Sequence, residues 1–501
     1  MSTGNQFKRN FSISMISMIV QFFQSLIVTS YVQRAIGVEA YGYIAVVVNI
    51  VNVAGILTVS LTSVSSRYMV IELQKGDTNS SKRLFSTICL AILCVSGICV
   101  LFFAFLSTNL TRVMVISPEY INEVTVLVIL VGADFIVQLF QVPYLSVYYY
   151  EERLYIYYFL VIFTNCTKIC SAVLIFSIWK PVVWAVYMGA LISDSIAFLV
   201  YFFHVKKKYR YLVIKRTLFN LVQLKKILKS GVWVSISKLA AILLSTCSTY
   251  LVNIFISAYM AGIYGSIAQL QSILSFMTIA IVNVYLPQMY KLYAENKYNM
   301  LIAYTEKGLK VISSILGIVV GGLIVFGNEF MSIWITEDYI KYSLLIILSV
   351  CSLHVTYSAE LINQLLITVN KTKFPAIISV IAGIFNVLCA VLLMEITGNG
   401  IYGIAIAQLI VGVVRAGIIL PLYAAMQLKK NWFIFIKNQL KGSVPMLLTV
   451  GIGVLIGRAV QVESWMTLIL AAGITGCIAI LISILTDRDI RDFTFQFIKM
   501  H

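Results

Sequence analysis

Long apolar runs alternate with short polar segments along the whole chain. Fourteen of these runs are about 20 residues long, which is the length a helix needs to cross the hydrocarbon core of a bilayer. They cover the approximate ranges 11–32, 43–65, 85–106, 124–147, 154–177, 182–204, 231–255, 262–286, 309–334, 343–368, 375–395, 401–423, 443–461 and 464–485. The pattern predicts an all-α polytopic membrane protein with about 14 transmembrane helices.

The amino-acid composition supports this prediction. Of 501 residues, 60% are hydrophobic and 11% are charged, whereas a soluble globular domain carries about 25% charged residues. The first apolar run is long and follows Lys8 and Arg9 directly, so we expect a retained span rather than a cleaved signal peptide. All nine cysteines fall inside apolar runs, which argues against a disulfide framework.

The net charge of +17 is distributed unevenly between the two predicted sides of the membrane. With both termini cytoplasmic, 29 of the 37 Lys and Arg residues lie in cytoplasmic segments, 5 in external segments and 3 within helices. Because basic residues favour the cytoplasmic side, we predict cytoplasmic termini and expect no nucleic-acid partner. The densest basic segment, residues 206–229, either rests on the anionic inner leaflet or is a solvated linker.

An internal repeat is visible on either side of this basic segment. Three pairs of positions are related by offsets of 221 to 226 residues, namely Tyr41-Gly42 with Tyr264-Gly265, Asp134 with Glu360, and Asp194 with Arg415. Each half contains six spans, so the two halves have the same orientation in the membrane. Parallel repeats of this kind enclose a central cavity.

The repeat predicts a division of the chain into four parts. They are an N-terminal six-helix bundle at 1–205, a basic cytoplasmic linker at 206–230, a C-terminal six-helix bundle at 231–427, and two additional transmembrane helices with a cytoplasmic tail at 428–501.

Six charged side chains lie more than five residues from either end of an apolar run. They are Asp134, Lys168, Asp194, Lys238, Glu360 and Arg415. Each charge at a bilayer centre costs about 3 kcal/mol, which is large beside the roughly 5–15 kcal/mol of net stability of a typical fold. We therefore expect these groups to face one another or a wet cavity. An internal polar cavity in a polytopic helical protein indicates transport.

Sequence motifs for energy conversion and catalysis are absent. The chain contains no G-x-x-x-x-G-K-[ST] phosphate loop and no H-E-x-x-H pair. Its longest polar stretch is too short to hold a nucleotide-binding domain. We therefore expect a secondary transporter rather than an enzyme or an ATP-driven pump. It would need no cofactor beyond a coupling ion, either a proton or sodium, and no metal.

Two predicted hairpins resemble those of a known family. Residues 34–42 read R-A-I-G-V-E-A-Y-G, which resembles the R-x-x-G-x-x-x-Y-G signature after the first span of Wzx-type polysaccharide flippases. Residues 386–393 read N-V-L-C-A-V-L-L and residues 398–403 read G-N-G-I-Y-G, similar to that family's hairpin between spans eleven and twelve. With the span count and the basic midpoint loop, the chain resembles the multidrug/oligosaccharidyl-lipid/polysaccharide (MOP) exporter superfamily.

The resemblance implies a flippase of the bacterial inner membrane. Such proteins move undecaprenyl-pyrophosphate-linked oligosaccharide repeat units from the inner to the outer leaflet, for assembly of surface polysaccharides such as O-antigen or capsule. The implied mechanism is ion-coupled alternating access. The expected partners are the lipid-linked substrate, membrane lipids, a polysaccharide polymerase and glycosyltransferases, and we expect a monomer.

Two other branches of the superfamily fit less well. Lipid II flippases carry basic residues in their first two spans, whereas span two here is uncharged and Arg34 lies at the external end of span one. Drug exporters usually have twelve spans rather than fourteen. A cation-coupled multidrug exporter nevertheless stays open as the alternative function.

Three of the intramembrane charges belong to the second half. Lys238, Glu360 and Arg415 each lie about eight residues from the cytoplasmic end of their span, which is roughly 12 Å at 1.5 Å per residue. We predict a shared layer in which Lys238 and Arg415 bind the pyrophosphate, with Arg415 offering a bidentate fork. Glu360 would pair with them when cargo is absent. The alternative is a permanent ion pair that only holds the helices together.

The other three charges belong to the first half. Lys168 can pair with Asp134 or with Asp194, which leaves one carboxylate without a counter-ion. A buried carboxylate of this kind has a raised proton affinity, so it is a candidate to carry a coupling proton or to bind sodium. Alternatively, Lys168 and nearby amides such as Asn165 or Gln138 satisfy both acids.

Two further groups have open interpretations. Arg34 and Glu39 flank the first external hairpin and either shape the turn or contact the cargo. Tyrosines at the inner face either stack on sugars or form an interfacial aromatic belt. They are Tyr148, Tyr149, Tyr150, Tyr155, Tyr157 and Tyr158.

Overall fold

The computed structural model describes residues 3–371, 373–398, 400–487 and 489–491. Within these ranges the regular structure is helical and contains no β-strand. Large apolar side chains such as Leu101, Ile178 and Leu485 are exposed on the helices, as expected where a helix faces lipid. The predicted all-α polytopic membrane fold is therefore confirmed. Position 399 of the second hairpin motif and residues 492–501 of the predicted tail lie outside the described ranges.

The helices follow one another with short connections. Those of the first half are α1 (Thr3–Ile36), α2 (Val38–Gln74), α3 (Thr78–Thr108), α4 (Leu110–Val113), α5 (Ile121–Tyr150), α6 (Leu154–Ile178), α7 (Ala185–Lys208), α8 (Leu221–Ala241) and α9 (Cys247–Phe255). Those of the second half are α10 (Ala258–Ala294), α11 (Tyr298–Trp334), α12 (Ser343–Val350), α13 (Leu353–Thr368), α14 (Lys373–Thr397), α15 (Gly400–Val413), α16 (Leu420–Gln427), α17 (Ile434–Lys441), α18 (Ser443–Ala459) and α19 (Trp465–Thr486).

The number of spans agrees with the sequence prediction. Thirteen helices in the described ranges are long and apolar enough to cross a membrane, and the bent pair Ser235–Leu244 and Cys247–Phe255 brings the count to 14. The last two spans, Ile434–Ala459 and Trp465–Thr486, are separate despite their short connection. Ser464 makes this possible because its side chain forms a capping box at the start of α19.

The seventh span is broken, which the sequence did not predict. Its two halves meet at an angle of 42°, and the π-helical segment Ile242–Thr246 lies between them. A π-helical turn disturbs the regular backbone hydrogen bonding of a helix. The Nδ2 atom of Asn386 donates to the carbonyl oxygens of Leu243 and Leu244 at 3.2 and 3.4 Å. Asn386, the first residue of the second hairpin motif, therefore stabilises this break.

Two compact units emerge from the internal contacts of the chain. The first is Met1–Ile242 with Thr249–Gly265, and the second is Leu243–Ser248 with Ser266–His501. The basic segment 206–230 and most of the seventh span therefore group with the first unit, whereas the sequence-based division placed that span, at 231–255, in the second bundle. The difference arises because α8 packs along α2.

One end of the first unit is built around Glu39, and we call it the Glu39 end. Gly37 separates α1 from α2 with φ of 88°, a left-handed conformation that glycine adopts without strain. Two residues later, Glu39 accepts hydrogen bonds from Tyr43 Oη at 2.7 Å and from Ser117 Oγ. The carboxylate of Glu39 thus ties the first hairpin to the segment before α5, which favours the structural interpretation of this hairpin.

The opposite end of the first unit is built around Glu151, and we call it the Glu151 end. Glu151 follows α5 and contacts Lys208 Nζ at 2.7 Å and Tyr209 Oη at 2.9 Å. Burial raises the pKa of Glu151, but these hydrogen bonds outweigh burial and hold the pKa below that of an ordinary glutamate. Ser86 Oγ also donates to the carbonyl oxygen of Lys215 at 2.8 Å. The basic segment after α7 is therefore attached to this end.

Two glycines allow α2 and the start of α10 to cross in direct backbone contact. A Cβ atom at Gly42 would overlap the carbonyl oxygen of Ala258, and one at Gly262 would overlap the carbonyl oxygen of Val38. The contact is reciprocal, since each glycine lies four residues after the residue whose carbonyl the other glycine faces. The internal repeat in the sequence relates Gly42 to Gly265. The glycine that packs against Gly42 is instead Gly262, almost one turn earlier in α10.

Alanine at Gly42 is expected to destabilise the protein. Its Cβ meets backbone atoms that cannot rotate away, so α2 and α10 must separate, at a cost of about 1–3 kcal/mol. Gly97→Ala is the matched control because a Cβ at Gly97 meets nothing within 4 Å and alanine favours a helix. The measurement is the thermal unfolding midpoint of the detergent-solubilised protein. Equal midpoints for the two variants would contradict the prediction.

In the second unit, the C-terminal helices pack closely on α11. A Cβ atom at Gly317 would overlap the carbonyl oxygen of Gly442, and one at Gly321 would lie 2.7 Å from the carbonyl oxygen of Met446. Ser313 Oγ donates to the carbonyl oxygen of Gln439 at 2.7 Å in the same interface. Small residues at every fourth position of α11 therefore make room for this approach, as is common between membrane helices.

Candidate functional site

Asp134 and Asp194 are joined by a single amide group inside the first unit. Gln138 Nε2 donates to Asp134 Oδ2 at 3.0 Å and to Asp194 Oδ2 at 2.9 Å. Asp134 and Gln138 lie one turn apart on α5, and Asp194 projects from α7, which packs against α5. Asp134 is also close to the middle of its span, Pro118–Tyr150. The two carboxylates therefore form one acidic pair deep within the membrane-spanning part of the unit.

The neighbouring polar residues orient Asp194 more completely than Asp134. Thr164 Oγ1 on α6 lies 3.1 Å from Asp194 Oδ1, and Gln141 Nε2 donates to the backbone carbonyl of Asp194 at 2.8 Å. Asp134 Oδ1, in contrast, is buried and accepts no hydrogen bond from the described residues. One oxygen of the acidic pair is thus without a hydrogen-bond donor among the described residues.

Lys168 does not supply the expected counter-ion. No ion pair within 4 Å joins its ammonium group to a carboxylate in the described part of the chain. Asn165 contributes nothing to the pair either, because its Nδ2 atom donates to the carbonyl oxygen of Val161 at 2.7 Å. Of the predicted partners, only Gln138 contacts the acids. The predicted ion pair of Lys168 with Asp134 or Asp194 is therefore not formed at contact distance in this structure, although the charge of Lys168 still acts on Asp134.

The two carboxylates of the acidic pair carry charges of the same sign. Two carboxylates that share one neutral donor repel each other. Binding one proton, or one monovalent cation, relieves that repulsion. The pair can therefore take up and release a single positive charge. Among the described residues, no group of three or more His, Cys, Asp and Glu is placed to hold a metal ion.

Glu360 and Arg415 are both in the second unit but do not form an ion pair. Glu360 on α13 accepts hydrogen bonds from Asn363 Nδ2 at 3.1 Å and from Gln364 Nε2 at 2.8 Å. No carboxylate of the described residues lies within 4 Å of the Arg415 guanidinium. Neither the cargo-free pair nor the permanent ion pair is formed at contact distance in this structure, although the charge of Glu360 still acts on Arg415. The reason is that amides one turn along α13 already satisfy Glu360.

Arg415 retains unused hydrogen-bonding capacity. Its Nη1 atom donates to Ser379 Oγ on α14 at 3.1 Å, while its Nε atom is buried and has no acceptor in the described residues. Arg415 lies in the π-helical segment Val414–Ile419. Gln439 Nε2 donates to the carbonyl oxygen of Ala416 at 3.2 Å within that segment. Among the described residues, the guanidinium thus has one neutral hydrogen-bond partner, Ser379, and one buried donor without an acceptor.

Lys238 and Arg34 belong to the first unit. Lys238 is exposed on α8, one turn before the break of the seventh span, and its predicted layer with Glu360 and Arg415 stays a prediction. Arg34 is in the last turn of α1, where it is exposed beside the Gly37 turn. A role for Arg34 in cargo binding also stays a prediction.

Sequence reasoning missed one charged cluster in the second unit. Lys310 of α11 is buried, and its ammonium group bonds to Asp489 Oδ2 at 2.9 Å and to Asp487. The hydrogen bond from Lys310 lowers the pKa of Asp489. The available signal was a lysine at the start of the ninth apolar run together with the acidic pair directly after the last run. The cluster fastens the end of α19 to α11.

The sequence of this chain is similar to those of known proteins. A family model described as polysaccharide biosynthesis protein matches residues 7–293. The uncharacterized membrane protein EpsK of Bacillus subtilis (strain 168) is 23% identical over 473 residues, which covers 94% of this chain and 93% of EpsK.

Two solved structures share the fold over most of their length. The lipid II flippase MurJ in an inward closed conformation aligns with a TM-score of 0.72 and 14% identity, covering 97% of this chain and 99% of that chain. A multidrug resistance MATE family transporter of the MOP superfamily, in an inward-facing conformation, aligns with a TM-score of 0.70 and 14% identity, covering 84% and 98%. The chain therefore has the same fold as these two transporters.

Proposed function

We propose, from the premise that this chain belongs to the family of polysaccharide biosynthesis proteins, that it is a flippase for undecaprenyl-pyrophosphate-linked oligosaccharide repeat units. It moves these units from the inner to the outer leaflet of the bacterial cell membrane for surface polysaccharide assembly. Both termini are cytoplasmic in this proposal, so the Glu151 end of the first unit faces the cytoplasm.

The observation that carries the proposal is the incomplete hydrogen bonding of the Arg415 guanidinium. An arginine within a membrane span costs several kcal/mol unless its charge is compensated, yet Arg415 contacts the neutral Ser379 and keeps a buried, unbonded Nε. A pyrophosphate is the anion that would match it, because two phosphate oxygens fit the planar fork of a guanidinium. Lys238 is the second cation that we assign to the cargo.

The acidic pair is the proposed coupling element. Asp134 and Asp194 together take up one proton or one sodium ion, and Asp134 Oδ1 is the atom left open to receive it. Binding of this charge on one side of the membrane and its release on the other would bias the two states of alternating access. Lys168, one helix away, modulates the local potential without forming an ion pair.

The substrate also implies the cellular partners. Glycosyltransferases must build the repeat unit on the lipid before flipping, and a polymerase must consume it afterwards. The protein itself acts as a monomer in this proposal, since each chain holds both the acidic pair and Arg415.

Deletion of the gene in its host, followed by lipid analysis, tests the proposed function. We expect repeat units linked to undecaprenyl pyrophosphate to accumulate on the cytoplasmic leaflet, and surface glycan to fall. Expression of the intact chain should reverse both effects. Unchanged surface glycan together with new sensitivity to amphipathic drugs would instead support the alternative, a cation-coupled multidrug exporter.

A further inference from the structure

A cavity of about 690 Å³ lies between α2 and α5, near the Glu151 end of the first unit. Neither acid of the acidic pair is among the residues that line it. The residues on which its chemistry depends are Thr62, Ser66, Arg67, Val142, Leu145 and Tyr149. Its volume is within the roughly 300–1,000 Å³ that is typical of pockets for small ligands.

Arg67 gives this cavity a positive charge that no nearby acid neutralises. In the described part of the chain, no carboxylate lies within 4 Å of its guanidinium. Three acids of the same end are engaged elsewhere. Glu72 pairs with Lys75 at 2.8 Å, Asp77 caps the start of α3 through its side chain, and Glu151 bonds to the end of α7. The charge of Arg67 is therefore available to a ligand.

The other lining groups define what kind of anion would fit. Hydroxyls of Thr62 and Ser66 lie on the same stretch of α2 as Arg67, and Ser146 Oγ is 3.1 Å from Ser66 Oγ. Tyr149 exposes 43% of its surface, so its ring can stack on a sugar. Val142 and Leu145 supply an apolar wall. A phosphate that carries a sugar matches this combination of one cation, several hydroxyls and one exposed aromatic ring.

The position of the cavity along the helices matches the level of lipid headgroups. Arg67 lies two residues beyond the second apolar run, 43–65, which places it at the edge of the hydrocarbon core. Tyr149 is the last residue but one of α5. The phosphate of a lipid in the nearby leaflet therefore lies closer to Arg67 than to Asp134, which is at the middle of its span.

We infer that this cavity is a first binding site for the pyrophosphate and adjoining sugar of the lipid-linked substrate. It holds the headgroup at the cytoplasmic surface before the headgroup reaches the intramembrane charges. Arg67 binds a pyrophosphate oxygen, and Tyr149 packs on the sugar. The inference rests on the proposed function, because it takes both the substrate class and the orientation from it.

Binding measurements on the full chain in phosphatidylcholine nanodiscs test the inference. The probe is undecaprenyl diphosphate, and phosphatidylglycerol and free pyrophosphate are measured in parallel. We expect Arg67→Ala to weaken binding of undecaprenyl diphosphate at least about tenfold, as for loss of one charge-assisted hydrogen bond, and Arg67→Lys to weaken it less. Arg83→Ala is the matched control, since it removes an exposed arginine from the same end, outside the cavity.

The possible outcomes separate this inference from the proposed function. Equal affinity of the intact chain and Arg67→Ala for undecaprenyl diphosphate, with transport retained in both, would overturn the site alone. Equal binding of phosphatidylglycerol, lost in the same variant, would also overturn it, because the cavity would then recognise any phosphate lipid. Failure of the intact chain to bind or flip the lipid-linked substrate would overturn the proposed function and the site together. Equal thermal unfolding midpoints for Arg67→Ala and Arg83→Ala establish that the comparison concerns binding.

Discussion

Arg415→Ala is expected to reduce flipping of the lipid-linked substrate about 100-fold or more while leaving the protein folded in the membrane. The substitution removes a bidentate anion site, whose charge-assisted hydrogen bonds contribute roughly 1.5–3 kcal/mol each. Glu360 keeps its hydrogen bonds from Asn363 and Gln364 in the variant, so we expect the fold to persist. Arg415→Lys should recover only part of the activity, since an ammonium group lacks the planar fork. The measurement is flipping in proteoliposomes, with membrane abundance determined alongside.

Two further variants isolate the role of the guanidinium. Ser379→Ala removes the neutral acceptor of Arg415 but keeps its charge, so most of the activity should survive. The double substitution of Arg415 and Glu360 by alanine should be as inactive as Arg415→Ala. If that double variant regained full transport at normal abundance, Arg415 would be a structural residue rather than a cargo ligand.

Asp134→Asn is expected to abolish the dependence of transport on an imposed ion gradient and to lower gradient-driven flipping about tenfold or more. An amide cannot take up the proton or cation that the pair with Asp194 binds, so the two conformational states lose their bias. The folded protein should remain abundant because the change removes a buried negative charge, and an intramembrane charge is costly. Flipping in proteoliposomes under separate pH and sodium gradients measures the effect and identifies the ion.

Glu123→Gln is the matched control for this experiment. It also converts a carboxylate on α5 to an amide, but Glu123 lies at the Glu39 end, where it contacts Lys180 at 3.3 Å and the backbone of Val183. Gradient dependence should persist in this variant. Persistence of the same dependence in Asp134→Asn would show that the acidic pair does not couple ion movement to transport.

The candidate site was only partly accessible from the sequence. Charges inside apolar runs are visible without a structure, and this criterion identified Asp134, Asp194 and Arg415. Their partners were not visible. Lys168 has the right sign and depth to pair with either acid, yet Gln138 is the residue that contacts both. A sequence with complementary charges does not reveal which of them approach, because successive helix residues point about 100° apart and the rotation of each helix is set by its neighbours.

Arg67 illustrates a second reason why the residues of a binding site are missed when only the sequence is known. The apolar part of span two ends near position 65 in the sequence, so Arg67 falls in what hydropathy assigns to a polar connection. In the structure, α2 continues to Gln74, and its last turns line a cavity together with α5. Whether a helix continues beyond its apolar run depends on what its polar turns pack against, and that information comes from other parts of the chain.

Hydropathy by itself determined the number of spans, the all-α fold and the presence of charges that need compensation, because the transfer of each segment from water to hydrocarbon depends on its own residues. The hairpin motifs indicated a family of polysaccharide biosynthesis proteins. Only the tertiary structure decided that Gly42 packs on Gly262, that the seventh span breaks at Ile242–Thr246, and that Arg415 and Glu360 stay apart. These features depend on contacts between residues distant in sequence, and the geometry of such contacts follows from the packing of all the helices in a unit rather than from the properties of any single segment.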